Sequence, residues 1–208
     1  MGKMDYDLEA VFWKEKGIEY RNATKLIFDS GNQGCGIVIM LNPGGCLPVG
    51  GKEEVKEISV KFSTKDGNLK KDPTQGLVVS CVKYFYGEIK IPDCVFIVNL
   101  SDKVEVDSNK LLEGDFRKKD HNTIMEEIGI LAKKNQIKWI WVAFGKISKD
   151  EDKKYLDDLK CNVIKELNRF GGKVVGESAY YCHPRYVNCN KDLKDNLKKE
   201  IELKLHNS

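Results

Sequence analysis

A chain of 208 residues that is 41% hydrophobic and 32% charged can bury a sizeable core and is composed like a globular domain, which excludes a disordered or fibrous class. Its 35 basic and 32 acidic residues leave a formal net charge of +3, too small for total charge to argue for a nucleic-acid partner, so the placement of the basic residues carries that question. No apolar stretch approaches the roughly 20 residues of a membrane span, and residues 1–9 are polar and mixed in charge, unlike a signal peptide. One cytoplasmic domain over residues 1–208, with no membrane partner and no obligate protein partner, is the expectation.

In chain order, residues 5–16 read as an amphipathic helix carrying Leu8, Val11 and Phe12. Residues 18–28 read as a strand or extended arm. Gly36-Ile37-Val38-Ile39-Met40-Leu41 is a continuous apolar run that ends in Asn42-Pro43-Gly44-Gly45. A glycine-rich loop (43–51) and a polar segment (52–71) of ambiguous structure follow. A helix is expected from Pro73 to Tyr86, with Asp72 as N-cap and Pro73 at the first position, where its missing N–H is no loss. The apolar run 94–98 ends in Asn99-Leu100-Ser101-Asp102, and a short helix is expected around 108–113. A clear helix covers about 123–135, opened by a Thr123-to-Glu126 capping box, with Ile124, Ile128 and Leu131 as its stripe. The run 137–144 ends in Gly145-Lys146. A long helix over about 148–170 closes at Gly171-Gly172. Val174-Val175 begins a last strand region that continues through Ala179-Tyr180-Tyr181-Cys182 to His183-Pro184. The tail, 190–205, is an amphipathic helix with Leu193, Leu197, Ile201 and Leu205 on one side.

Near-continuous apolar runs separated by helical patterns are strands of a parallel sheet buried on both faces. The expected fold is therefore α/β, a three-layer α/β/α sandwich around a central parallel sheet of about four strands. Ligands of such sheets bind beyond the carboxyl ends of the strands, which sets Asn42, Asn99, Lys146 and His183 along one rim. Helix N-termini share that edge and favour anions. Lys70 and Lys71 before one helix, and Arg117, Lys118 and Lys119 before another, are thus candidate phosphate contacts. The plain alternative is a lysine-rich surface that keeps the protein soluble.

The seven cysteines form no C-x-x-C pair and are odd in number. Metal sites usually carry closely spaced pairs, so no metal is expected and the thiols read as reduced, small hydrophobes.

The ordered set Arg21, Leu41-Asn42-Pro43-Gly44, Asp72-Pro73-Thr74, Asn99-Leu100, Asn122, Gly145 and His183-Pro184 resembles an uncharacterised bacterial and archaeal family known as a domain of unknown function, over about residues 20–187. Gly44-Gly45 departs from it, because that family more often has serine and threonine after the proline. More distantly, the layout resembles the uracil-DNA glycosylase superfamily, whose mismatch-specific branch has G-I-N-P-G where this chain has Met40-Leu41-Asn42-Pro43-Gly44. His183-Pro184 matches the late H-P motif, with Arg185 in place of the usual serine. The iron–sulfur cysteine spacing of some branches is absent, and no cofactor is implied.

The resemblance implies a glycosylase-like fold and a DNA glycosylase-like hydrolase that cleaves the N-glycosidic bond of a base in DNA, including modified or mismatched bases. Asn42 would orient water and His183 would donate a hydrogen bond to the base oxygen as negative charge builds there. Asn99 would read an amide edge of the base. Pro43, Gly44, Gly45, Asp72, Thr74, Asn122, Gly145 and Arg185 would complete the substrate site, with Lys70, Lys71, Arg117, Lys118, Lys119 and Lys146 on phosphates. Each residue also has a structural reading. Asn42 to Gly45 make a turn, Asp72 caps a helix, Asn99 satisfies strand-end backbone, and His183 is a core histidine. A non-catalytic nucleic-acid or nucleotide binder, or an enzyme of free nucleosides or nucleotides, remains the alternative.

Overall fold

The computed structural model describes residues 6–28, 34–44, 58–63, 73–86, 91–105, 107–117, 121–145, 154–176 and 183–206. It opens with a hairpin, not the expected N-terminal helix. Strands β1 (Asp7–Glu15) and β2 (Ile18–Ile27) pair antiparallel. Leu8 and Phe12, four apart, fit either a helical or a strand period, and Ala10 decides between them: Leu8, Ala10 and Phe12 are all buried while their neighbours are not. Lys16 and Gly17, with φ of 51° and 78°, form the two-residue turn, the backbone that best matches strand twist. Further along, Glu9 faces Lys25 and Val11 faces Asn22, so Ala10 opposes both Ala23 and Thr24. This β-bulge puts Ala23 at φ 47°.

Strands β3 (Cys35–Met40), β5 (Cys94–Asn99), β6 (Ile137–Val142) and β7 (Val174–Val175) are parallel to one another. All six residues of β3 are buried, as a strand covered on both faces requires. With β4 (Ile58–Ser63) on the outside, the sheet runs β4-β1-β2-β5-β3-β6-β7. Among the described residues it is thus a mixed sheet of seven strands, larger than the expected parallel sheet of about four. Its parallel half comes from the apolar runs, and its antiparallel half from residues 5–16, expected as a helix, 18–28, expected as a strand or extended arm, and the ambiguous segment 52–71. The run 179–182 lies outside the described residues; the fourth parallel strand is Val174–Val175.

Helices cover both faces. Helices α1 (Pro73–Tyr86), α5 (Pro184–Cys189) and α6 (Lys191–His206) pack on the face that carries Val38, Met40, Val95, Ile97, Trp139 and Trp141. Helices α2 (Glu113–Arg117), α3 (His121–Lys134) and α4 (Lys154–Leu167) pack on the other, against Ile37, Ile39, Val98, Ile140 and Val142. Helix α1 has the expected bounds. Helix α3 begins at His121, so Thr123 lies inside it and does not cap it. The expected short helix around 108–113 is a 3-10 turn, Ser108–Lys110, followed by α2. Gly171 and Gly172 fall within a 3-10 turn, Asn168–Lys173, that follows α4. Asn190 ends α5 and caps α6, its Oδ1 accepting from the Leu193 N–H at 3.1 Å. No helix among the described residues is long and apolar enough to cross a membrane.

Cys35 and Cys94 face each other in register at the starts of β3 and β5, Cα atoms 4.9 Å apart, and form a disulfide. This corrects the expectation of reduced thiols throughout. Spacing along the chain carried no sign of it, because the pair is made by strand register and not by sequence proximity.

The direction of α1 fixes which end of the sheet its residues meet. Tyr86, its last residue, accepts a hydrogen bond from Trp139 Nε1 at 2.6 Å, and Trp139 pairs with Gly36 near the start of β3. The C-terminus of α1 therefore sits at the amino ends of the parallel strands. Fourteen helical residues and six strand residues each span about 20 Å, so the first turn of α1 lies over the carboxyl ends.

Candidate site at the carboxyl ends of the parallel strands

The ladder between β3 and β5 continues past both strands: Leu100 N–H donates to the Met40 carbonyl and Ser101 N–H to the Leu41 carbonyl, each at 2.9 Å. This delivers Asn42 and Pro43 to the rim. Asn42 is half-buried, and its Nδ2 donates to the Glu105 carbonyl at 2.6 Å. The Pro43 carbonyl accepts from the guanidinium of Arg21, a β2 residue only 1% exposed whose backbone N–H donates to Asp102 at 2.8 Å. Arg21 is a positioning residue that ties the hairpin to this loop. Gly44, at φ 61°, occupies the left-handed region that favours glycine. The turn reading of Asn42 to Gly44 is thus correct as far as it goes.

Asn99, the last residue of β5, is 1% exposed. By strand alternation it shares a face with Val95 and Ile97, the face under α1. Neither Nδ2 nor Oδ1 has a hydrogen-bond partner among the described residues. The plain reading, that Asn99 satisfies loose backbone groups, fails on this point. Two residues the sequence did not single out share its condition. Gln75, in the first turn of α1, is 2% exposed with both amide atoms unpartnered. Thr24 pairs with Ile97, on the same face, and its Oγ1 is buried without a partner. Gln75 stands in the inward stripe of α1 with Val78, Val79 and Val82. A polar residue at a core position of an apolar stripe was the available signal.

His183 precedes α5 and caps it: Nδ1 accepts from the Arg185 N–H at 3.2 Å, which leaves Nε2–H as the donor of the neutral ring. Its helix packs against the middle of α1. The Pro184 carbonyl accepts from Cys81 Sγ at 3.9 Å, and Ser80 Oγ donates to Asn188 Oδ1 at 3.2 Å. His183 therefore sits near Cys81, six residues or about 9 Å along α1 from Gln75. Asn42 and Asn99 are brought together at the strand ends, whereas His183 is set back from them. Burial pushes the Cys81 thiol up to about 12, against the opposing pull of the Lys194 ammonium. It does the same to the Tyr86 phenol, against the hydrogen bond from Trp139.

The remaining expected residues are distributed unevenly. Thr74 is half-buried beside Gln75, and Gly145, at φ 88°, turns the chain after β6. Arg185 is exposed on α5. Asn122 is exposed in α3 and Arg117 ends α2, both on elements of the opposite face, so neither joins Asn99 under α1. Gly45, Lys70, Lys71, Asp72, Lys118, Lys119 and Lys146 lie outside the described residues. A cleft of about 540 Å³ opens between β2 and α3 and includes Asn22, Thr24, Lys25, Phe96, Glu126 and Ile130 in its lining. The chain matches no family model, and no curated protein and no solved structure is similar to it.

Proposed function

We propose that this protein is a glycosylase-like hydrolase that cleaves the N-glycosidic bond of a base in DNA, with the base held at the carboxyl ends of β3 and β5. The observation that carries this reading is Asn99: a fully buried carboxamide with both polar atoms unpartnered, at the edge where an α/β sheet binds its ligand. A carboxamide places a donor beside an acceptor and so complements the edge of a nucleobase. Asn42, its Nδ2 fixed on Glu105, has Oδ1 as the acceptor that orients a water for attack on the sugar. The resemblance gives His183 the donor role from Nε2 as charge builds on the departing base, a role that its seat beside Cys81 does not itself support. The lysines that precede α1 and α3 in sequence supply phosphate contacts.

A binding-only reading has an observation in its favour. Asn42 is not a base, and the His183 helix is held at the middle of α1, away from the rim. An incision assay separates the readings. Labelled single- and double-stranded oligonucleotides carrying uracil, mismatched thymine, or hydroxymethylated or glucosylated pyrimidines are incubated with the protein and then cleaved with alkali at abasic sites. Cleavage is expected, with Asn42→Ala and His183→Ala each slowing it about 100-fold or more while the chain stays folded and loses only the ~1 kcal/mol of one hydrogen bond or helix cap. Loss of folding stability in step with loss of cleavage returns both residues to structural roles. Silence on every substrate, with binding that weakens steeply as salt is added, makes the protein a DNA-binding module. Binding indifferent to salt points instead to a free nucleoside or nucleotide.

A further inference from the structure

The cleft of about 540 Å³ between β2 and α3 holds none of the residues given a role in the proposed cleavage. Its floor is set by strand register. Glu9 faces Lys25 across β1 and β2, and Lys25 faces Phe96 across β2 and β5, so the three side chains form one row on one face of the sheet. The Lys25 ammonium lies over the Phe96 ring, 5.7 Å from its centroid. The wall is α3. Thr123, Glu126, Glu127 and Ile130 all line the cleft, and their spacing of i, i+3, i+4 and i+7 places them on one helix face. The bulge opposite Ala10 shapes the opening, because Ala23, exposed at φ 47°, also lines it.

Size and lining limit what this cleft can hold. A volume of about 540 Å³ falls in the range of small-molecule sites, roughly 300–1,000 Å³. Apolar surface is offered by Phe96 and Leu131, both partly buried against the core, and by Ile130, a large aliphatic side chain left 45% exposed. Such a side chain at the edge of a cleft gains from an apolar body laid against it. The charge is one-sided, with Glu9, Glu126 and Glu127 in the lining against Lys25 alone. Lys25 stands opposite Glu9 and balances it, which leaves the α3 wall acidic. A carboxylate or phosphate would meet that wall at a Coulombic cost, and a neutral ligand would leave its field unused. We propose that this cleft binds a small organic cation, an amine carried on an aryl or alkyl body, with the ammonium toward Glu126 and Glu127 and the body on Ile130, Leu131 and Phe96. The site is independent of the glycosylase reading and stands or falls without it.

Three probes of nearly the same body test the head group. Phenylbutylamine, phenylbutanol and phenylbutyrate are titrated at neutral pH into the full chain and followed by backbone amide NMR shifts. The amine is expected to bind about tenfold more tightly than the alcohol, as two partly exposed carboxylates allow, and the carboxylate not at all. The saturating shifts should fall on residues 22–25 and 123–131, which line the cleft. Added salt should weaken the amine. Glu126→Gln with Glu127→Gln should bring the amine down to the affinity of the alcohol, and Ile130→Ala should weaken amine and alcohol alike. Glu126 and Ile130 are exposed, so substitutions there leave the core intact. Glu126→Gln alone, expected to weaken the amine about threefold, takes the place of the double variant if that one fails to fold. Equal affinity for the three probes, or amine binding that these variants do not weaken, overturns the proposal. So do shifts confined to other parts of the chain, and so does binding of none of the probes.

Discussion

Asn99 and Gln75 are the same chemical group in the same condition, yet only Asn99 could be singled out from the chain. Asn99 ends a run of apolar residues, where a polar side chain stands out and the sheet assigns it to the ligand edge. Gln75 lies in the first turn of α1, where polar residues are expected, and only the packing of α1 on the sheet shows it to be buried. The thiol of Cys81 and the phenol of Tyr86 show burial acting on protons. Both acids are weaker in the folded chain than their ordinary values of 9.0 and 10.0, rising to about 12. Between pH 9 and 12 the unfolded chain gives up the Cys81 proton while the native chain keeps it. Stability is therefore complete below pH 9 and falls as pH rises, by up to about 1.4 kcal/mol per pH unit for one such group, with Tyr86 adding to the loss above pH 10. Urea unfolding at pH 8, 10 and 11 should show that decline, and Cys81→Ala should make it shallower. A profile that is the same for parent and variant would mean that the thiol is not protected by burial.

Among elements, β1 is the one most easily misread. Leu8, Val11 and Phe12 satisfy a helical stripe, and the small side chain of Ala10, which settles the period, carries little hydrophobic signal of its own. The turn was in plain view at Lys16-Gly17, but a single glycine is also an ordinary helix end. Within β3 the sequence fits the fold closely. A Cβ at Gly36 would fall inside the Trp139 ring, whereas one at Gly129 in α3 meets nothing within 4 Å. Gly36→Ala is accordingly expected to cost about 1–3 kcal/mol or more through overpacking, and Gly129→Ala to gain about 0.5–1 kcal/mol from helix propensity. Thermal melts of the two variants measure both. A Gly36→Ala protein that melts with the parent would show that the Trp139 ring moves aside at no cost.

Across the whole molecule, the Cys35–Cys94 bridge joins two central strands whose cysteines are 59 residues apart in sequence. It lies at the amino ends of β3 and β5, the edge opposite Asn99, so it acts on the sheet and not on the site. Cross-linking restricts the unfolded chain, and losing such a bond typically costs about 2–4 kcal/mol. A reductant should lower the melting temperature of the parent toward that of Cys35→Ala and leave the variant unmoved. A parent indifferent to reductant would mean that the two thiols only pack against each other. Incision, if present, is expected to survive reduction at temperatures where the chain stays folded.

What the sequence determined by itself is the part governed by local composition: the apolar strands of the parallel half, helix α1 with its Pro73 start, and the arrival of Asn42 and Asn99 at one edge. These follow because a strand buried on both faces must be apolar along its length, and it ends where polar and turn-forming residues interrupt that run. The tertiary structure alone decided that residues 7–15 are a strand and that β2 pairs antiparallel with it and with β5, the disulfide, the burial of Gln75 and Thr24, and the seat of His183 beside Cys81. Each of those depends on which segments meet across the sheet, and hydrophobic period records only which side of an element turns inward, not what it finds there.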